Sequence, residues 1–510
     1  MEINLPLGAW RPDMPDFNNP GVTLAHNVSP NVGAQQGAVV YEPLRKASLY
    51  SNTSMTGRPL GTAVGLDKLG NAKVYAGSAT RLYKINPATR AWQSIGRASN
   101  YSTAEGEVWE TTEYGNSIFF TNYTNELQYI NKDIDLQFAD ATTLVKGRHI
   151  ATVKDFVVVA NTYDALDGAV PFRVRWSGLG LPLSWDFSQA TGADFQDVYG
   201  FGAIQGITGG ESGWLLMQKG VVKMQFQGYP LWFAFEPVPN STGCSIPQSV
   251  IKNVEGSTFF VGEDGFYQMN ENTGQTTPIG VGQVDQWFLN SVDTSQYTYM
   301  TVAADPRSKL IYWSYVSVDA EDNKPDRLLI YNYATGNWSY GQQTSHYIFG
   351  SLSLPWTIDM LDTFGTIDAI PASPDSPIWA GGNAMLWTMN STGAIYVYGG
   401  ENLPATIETG EFSLMDRVKQ GDPDARGDRA TILKARARFD GSGGETVLYV
   451  GGRDISNGDV AWGNAMEPHP QTQFAYPRNT KRYHRLRVRL NGDWTRVMEL
   501  QLDAKPAGSR

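Results

Sequence analysis

The chain has 510 residues, 51 of them acidic and 40 basic, for a formal net charge of −11. That balance disfavours a general nucleic-acid binder, which needs clustered Lys and Arg against phosphate. A single cysteine, Cys244, excludes an intrachain disulfide and a thiolate metal cluster, and the five histidines lie far apart without metal-ligand spacing.

The composition points to strands and turns. Aromatic residues make up 12% of the chain, and 53 glycines and 27 prolines break it into short pieces. Residues 1–50, rich in Pro, Asn and Gly, read as an extended N-terminal arm. The opening "MEINLPLGAW" has no signal-peptide core, and "FVVVA" at 156–160 is among the longest apolar runs. A span would need about 20 apolar residues. We therefore expect no membrane anchor and synthesis in a cytoplasm.

A hairpin then recurs. "RLYKINPATRAWQSIG" (81–96), "GEDGFYQMNENTGQTTPIG" (262–280), "RLLIYNYATGNWSYG" (327–341) and "MLWTMNSTGAIYVYGG" (385–400) share a strand, a polar turn and a second strand. The turn asparagines are Asn86, Asn270, Asn332 and Asn390, with a degenerate copy at Asn131. Asn, Asp, Thr and Gly suit such turns because they bond to their own backbone or tolerate left-handed angles. The gaps between successive copies are 45, 139, 62 and 58 residues, and the long gap fits two hidden copies, in "FRVRWSGLGLPLSW" and "GVVKMQFQGYPLWF". A period of ~40–50 residues with four strands per unit predicts an all-β fold, a β-propeller of six or seven blades. Trp92 and Trp338, each six residues after a turn asparagine, are expected to pack against a neighbouring blade. The N-x-x-T-x-x-W spacing is close to the kelch signature and speaks to fold, not function.

We place the propeller at 51–404, with an irregular insertion near 355–378. From 405 the pattern changes. The polar stretch "MDRVKQGDPDARGDRA" leads into "TILKARARF", "ETVLYVGG" and "RYHRLRVRL", which predict a β-sandwich over 405–510.

No motif for chemistry emerges. Walker, Rossmann and nucleophile-elbow glycine patterns are absent, as are repeated sialidase boxes and the His and Cys set of kelch-type copper oxidases. We therefore expect no enzyme activity, catalytic residue, cofactor or metal. Asp264–Gly265 reads as a tight turn and Cys244 as a packed small residue. The charge pattern is more informative. Arg485, Arg487 and Arg489 alternate with Leu486, Val488 and Leu490, and Lys434, Arg436 and Arg438 alternate with Ala435, Ala437 and Phe439. These six cations are either solvated sheet faces paired with acidic side chains or a docking surface for an acidic partner.

One segment resembles a known family. "STGCSIPQSVIKNVEGSTFFVGEDGFYQM" (241–269) is similar to part of the tail nozzle, tail hub or packaged-DNA stabilisation proteins of short-tailed bacteriophages. Gly243, Cys244, Pro247, Ser249, Phe260, Gly262, Asp264, Gly265 and Tyr267 carry the likeness, and "NNPGVTLAHNVSPNVGAQQGAV" (18–39) resembles the opening arm of such proteins. The resemblance implies a structural virion protein assembled in the host bacterial cytoplasm. It implies a homohexameric ring on the tail adaptor that retains packaged DNA, lines its exit path without specific binding, and carries a fibre, spike or plug. The competing readings are a kelch-like carbohydrate-binding or hydrolysing propeller acting in receptor recognition, and a monomeric interaction scaffold.

Overall fold

Strands dominate the computed structural model, which describes residues 2–508 apart from 18, 34–37, 135, 343–344, 353–365, 367–383, 415–427, 442 and 456–457. The all-β class expected from the sequence holds. The described helical elements are one α-helix, Asp285–Ser291, and two short 3-10 turns, Pro247–Ser249 and Thr294–Tyr299. The insertion expected near 355–378 lies outside the described residues, apart from position 366.

Five strands open the chain: β1 (Glu2–Pro6), β2 (Val22–His26), β3 (Val28–Val32), β4 (Val39–Pro43) and β5 (Arg45–Ser51). Five four-stranded antiparallel meanders follow, over residues 61–94, 110–142, 146–197, 204–237 and 251–278. A sixth meander, over 301–342, continues past its fourth strand into a wider sheet. The seventh sheet draws on distant segments. Tyr347–Leu352, Ala384–Met389 and Ile395–Asn402 form three of its strands, and β5 supplies the fourth, with Ile395 opposite Ser51 and Tyr398 opposite Ala47.

Middle strands such as Leu310–Tyr315 are buried at every residue, so apolar side chains leave both faces. Each sheet therefore has to pack on two neighbours, and it does. Tyr75 and Phe120 join the first and second sheets, Phe119 and Val157 the second and third, and Phe156 and Leu215 the third and fourth. Trp214 and Phe260 join the fourth and fifth, Phe266 and Trp313 the fifth and sixth, and Leu328 and Leu386 the sixth and seventh. Val74 and Trp387 bring the seventh against the first. Full burial of one such side chain contributes about 1.5–3 kcal/mol.

The turn asparagines act as their chemistry suggests. Asn86 Oδ1 accepts from the Ala88 amide at 2.9 Å, Asn270 from Asn272 at 2.8 Å, and Asn332 from Ala334 at 3.0 Å. These, with Asn131, close the turn between the third and fourth strands of their sheets. The two hidden copies sit at the same place, after the third strands Gly168–Trp176 and Gly220–Phe226. Asn390 departs from the pattern. It closes the turn between the second and third strands, because the fourth strand of that sheet is β5. Trp92 and Trp338 reach the adjoining sheets: their indoles donate to Gly393 O at 2.8 Å and Ile279 O at 3.2 Å.

Residues beyond 405 form two layers together with the N-terminal strands. In one, β3, β4, Arg496–Gly508, Arg429–Asp440 and Asn479–Lys481 lie side by side, with β1 paired on Arg496–Gly508 (Ile3 opposite Leu502). The other extends the sixth meander through β2, Ala405–Thr409, Tyr483–Asp493, Gly443–Arg453 and Ala461–Trp462. Leu5, Trp10, Ala435, Leu486, Val488, Leu500 and Trp494 share one apolar core with Trp313 and Trp338 of the sixth meander. Residues 1–50 are thus extended in conformation, but β1–β4 are structural strands of this unit and β5 belongs to the seventh sheet.

Candidate functional site

Strand alternation places the two basic ladders on the outer surfaces of the two layers, since Leu486, Val488 and Leu490 on one strand and Ala435 and Ala437 on the other point into the core. Their counter-charges come from the same chain. Arg485 binds Asp16 at 2.5 Å and Glu408 at 2.6 Å, and donates to Thr23 Oγ1 at 2.7 Å. Arg487 binds the other oxygen of Glu408 at 2.5 Å and stacks over Trp462 at 4.4 Å. The Glu408 side chain is only 6% exposed, so two guanidiniums share one buried carboxylate. Arg489 is exposed and lies 5.2 Å from the Tyr449 ring. On the other layer, Arg438 meets Glu499 at 2.6 Å, Arg436 donates to Gln501 Oε1 at 2.6 Å, and Lys434 lies 3.8 Å from Asp503. The ladders therefore pair in large part with acidic or amide side chains of adjacent strands.

The residues that carry the family resemblance occupy the junction between the fourth and fifth sheets. A Cβ on Gly243 would meet Gln218 O at 2.2 Å, so only glycine fits there. Cys244 is fully buried, and its thiol is pushed up to about 12 by that burial. Pro247 opens the 3-10 turn, and Ser249 Oγ accepts from the Val261 amide at 2.8 Å. Gly262 donates to Gly265 O across a hairpin turn, and Tyr267 donates to Asp264 at 2.9 Å. Gly265 has φ +146°, and a Cβ there would meet the Asp285 carboxyl at 2.1 Å. These roles fix backbone shape. None places a reactive group in a cavity.

A cavity of about 610 Å³ is lined by first-strand residues of six of the sheets and by Arg58, Pro59 and Leu60, which lead into the first strand of the remaining one. Its charged lining is Arg58, Glu110, Lys252 and His346. Glu110 accepts from His149 Nδ1 at 2.7 Å, and Lys252 is held by Glu271 at 2.5 Å and by Gly209 O at 2.6 Å. Arg58 stacks over Tyr299 at 3.9 Å. Thr208 Oγ1 and His346 Nδ1 are buried without a hydrogen-bond partner. A smaller polar recess shares Val108, Glu110, Pro247 and Gln248 with this cavity. There Arg148 forms a two-point ion pair with Glu107, at 2.8 and 3.0 Å, and stacks over Tyr123 at 4.2 Å. Among the described residues no three His, Cys, Asp or Glu side chains gather as a metal-binding group, and no helix is long and apolar enough to cross a membrane.

No family model and no curated protein matches the chain. Solved structures do, at low similarity. The extracellular domain of a hybrid two-component system from B. thetaiotaomicron matches at 11% identity over 85% of this chain and 47% of its own, with a TM-score of 0.38. This chain thus spans about half the length of that relative. A chain of the mitotic checkpoint complex matches at 10% identity over 70% of this chain and 94% of its own, with a TM-score of 0.37. Apo AztD from Citrobacter koseri matches at 8% identity over 55% and 88%, with a TM-score of 0.29.

Sequence alternation found the ladders. It missed the cavity, whose charged residues Arg58, Glu110, Lys252 and His346 are scattered over almost 290 residues. Only the repeat itself, which implies an axis where first strands meet, could have pointed there.

Proposed function

We propose that the seven sheets form a closed seven-bladed β-propeller, with β5 as the last strand of the seventh blade. The apolar clusters shared by every consecutive pair of sheets, including the seventh and the first, support this. On that scaffold the chain acts as the tail nozzle or hub subunit of a short-tailed bacteriophage. Six copies close the distal end of the portal–adaptor channel, retain packaged DNA and line its exit, and they bind a fibre, spike or plug. It is a structural component, without catalysis. The observation that carries this reading is the resemblance at Gly243–Tyr267, whose residues set the junction between two sheets. An acidic chain is consistent with a wall that does not hold passing DNA. Native mass measurement tests it: six copies of the 56.1 kDa chain weigh about 340 kDa. A chain that stays monomeric at high concentration and does not bind phage tails would overturn it.

A second reading has one feature in its favour. The recess with Glu107, Glu110, Arg148 and Asn161 combines carboxylates, a guanidinium and an amide, groups that hydrogen-bond sugar hydroxyls. Glycan binding by a monomer, lost in Glu107→Gln, would favour carbohydrate recognition instead.

A further inference from the structure

The third and fourth sheets carry an apolar face that no described residue covers. It is built from the connections between their third and fourth strands, residues 177–193 and 227–232. In the first, Gly178 donates its amide to Ser184 O at 2.8 Å, Leu179 to Thr191 O at 2.8 Å and Gly180 to Asp155 O at 2.9 Å. The loop is thus pinned to itself and to the turn that follows the first strand of its sheet. A Cβ on Gly192 would meet the Trp232 ring at 2.7 Å, which sets this loop directly against the second one. There the Tyr229 and Trp232 ring centres lie 6.2 Å apart. Leu181, Leu183, Phe187, Tyr229 and Leu231 stand out from the two loops, each between 47% and 69% exposed.

Size separates this face from leucines scattered over a surface. At roughly 200 Å² for each large side chain, the five present about 600 Å² to solvent. The largest apolar patch on an ordinary monomer is about 300–600 Å². One partner of a standard interface contributes about 800 Å², so this face supplies most of one side. Its pinned loops hold the side chains outward before any contact is made, which reduces the ordering cost of association.

The charges around the face select its occupant. No Lys or Arg occurs at 176–218 or 224–251, and the exposed Asp155, Asp186 and Asp194 border it. The nearby cations are engaged: Lys154 by Glu211 at 2.6 Å, and Arg175, buried beneath Phe187, by the carbonyls of Leu144 and Trp185. Such a rim repels the headgroups of an anionic lipid surface. An apolar centre without formal charge is instead the composition of contacts between copies of one chain. We propose that this face is a subunit contact, covered by a second copy of the chain. The proposal rests on the six-copy reading and locates one of the faces through which copies meet.

The test is sedimentation velocity and native mass measurement on the full chain. The double variant Leu183→Asp, Leu231→Asp puts charge on the face. Leu166→Asp is the control, since Leu166 is 91% exposed in the turn between the second and third strands, at the opposite end of the third sheet. The parent and Leu166→Asp should assemble alike, and the double variant should associate at least tenfold more weakly, down to the 56.1 kDa monomer. If the double variant fails to fold by circular dichroism, Leu183→Ser with Leu231→Ser carries the test. A folded variant that assembles like the parent overturns this contact and leaves the six-copy reading standing. Flotation of the parent, but not of the variant, with phosphatidylcholine–phosphatidylglycerol vesicles overturns it in favour of a lipid surface. A parent that stays monomeric at high concentration removes the six-copy reading itself, and this contact with it.

Discussion

The Trp92 indole donates its Nε1 hydrogen to the carbonyl of Gly393, 2.8 Å away in space and 301 residues along the chain. This buried bond ties the first sheet to the seventh. Trp92→Phe keeps much of the ring but leaves that carbonyl without its donor. We expect a loss of about 1–3 kcal/mol, read as a lower denaturant midpoint with an unchanged slope. An unchanged midpoint would mean that the two sheets are held together by their apolar contacts alone.

Glu408 should behave as a keystone of the outer layer. Removing its charge in Glu408→Gln leaves Arg485 and Arg487 side by side over a buried amide, with Asp16 as the remaining counter-charge. Breaking a buried pair of this kind costs about 3–5 kcal/mol. Arg487→Glu should be worse, since it sets two carboxylates where 2.5 Å now separates opposite charges. Loss of near-ultraviolet signal from Trp462 and Trp494 would report it.

Arg489 separates folding from docking. It is exposed and touches only the Tyr449 ring among the ion-pair and ring contacts seen, so Arg489→Glu should change stability by no more than about 0.5 kcal/mol. If the ladder also meets an acidic partner, this variant stays folded yet assembles poorly, more so at low salt where the new like-charge repulsion acts at longer range. Assembly indistinguishable from the parent would confine the ladder to an intrachain role.

Two buried groups give stability opposite slopes with pH. Burial pushes the Asp285 carboxyl up to about 6, and it lowers the His484 imidazole to about 4. Between about pH 4 and 6 the folded chain retains the Asp285 proton that the unfolded chain has released, so this contribution falls as pH rises. Between about pH 6.5 and 4 the unfolded chain charges its histidine while the folded chain does not, so that contribution falls as pH drops. Asp285→Asn keeps an oxygen for the Phe266 amide and removes the first titration. Its stability relative to the parent should rise as pH climbs through that window, measured by urea melts on either side. Parallel curves would refute the assignment.

Cys244 should ignore thiol reagents in the native state. It is buried, and with a thiol near 12 it holds almost no thiolate at neutral pH. Its labelling rate is expected to track global unfolding, rising with denaturant in step with the tryptophan signal. Rapid labelling without denaturant would place local opening at the junction of the fourth and fifth sheets.

What the sequence disclosed was local. Asn86, Asn131, Asn270 and Asn332 bond to amides two residues ahead, so their turns were written in a few letters. The alternation of Arg487 with Val488 was legible for the same reason. Asn390 was aligned with the wrong hairpin, because the strand that completes its sheet is β5, some 340 residues earlier. Glu408 and Asp16 were invisible as partners of Arg485, being 77 and 469 positions away. Residues 1–50 read only as an extended arm because nothing in them names Leu502 or Thr409 as neighbours.

The late arrival of the partners of β5 has a consequence for synthesis. Ser51 leaves the ribosome 296 residues before Tyr347 begins the sheet it must join. At roughly 5–20 residues per second, that is a wait of about 15–60 s. During it β5 carries an open edge, and so does β2, whose partner Ala405–Thr409 comes later still. A nascent strand in that state can pair with the wrong edge, including the unfilled seventh sheet of a sister chain on the same message. Overproduction at high ribosome density is therefore where strand exchange between copies would first show, and slower elongation before residue 402, where the partner strand of β5 ends, would make it worse.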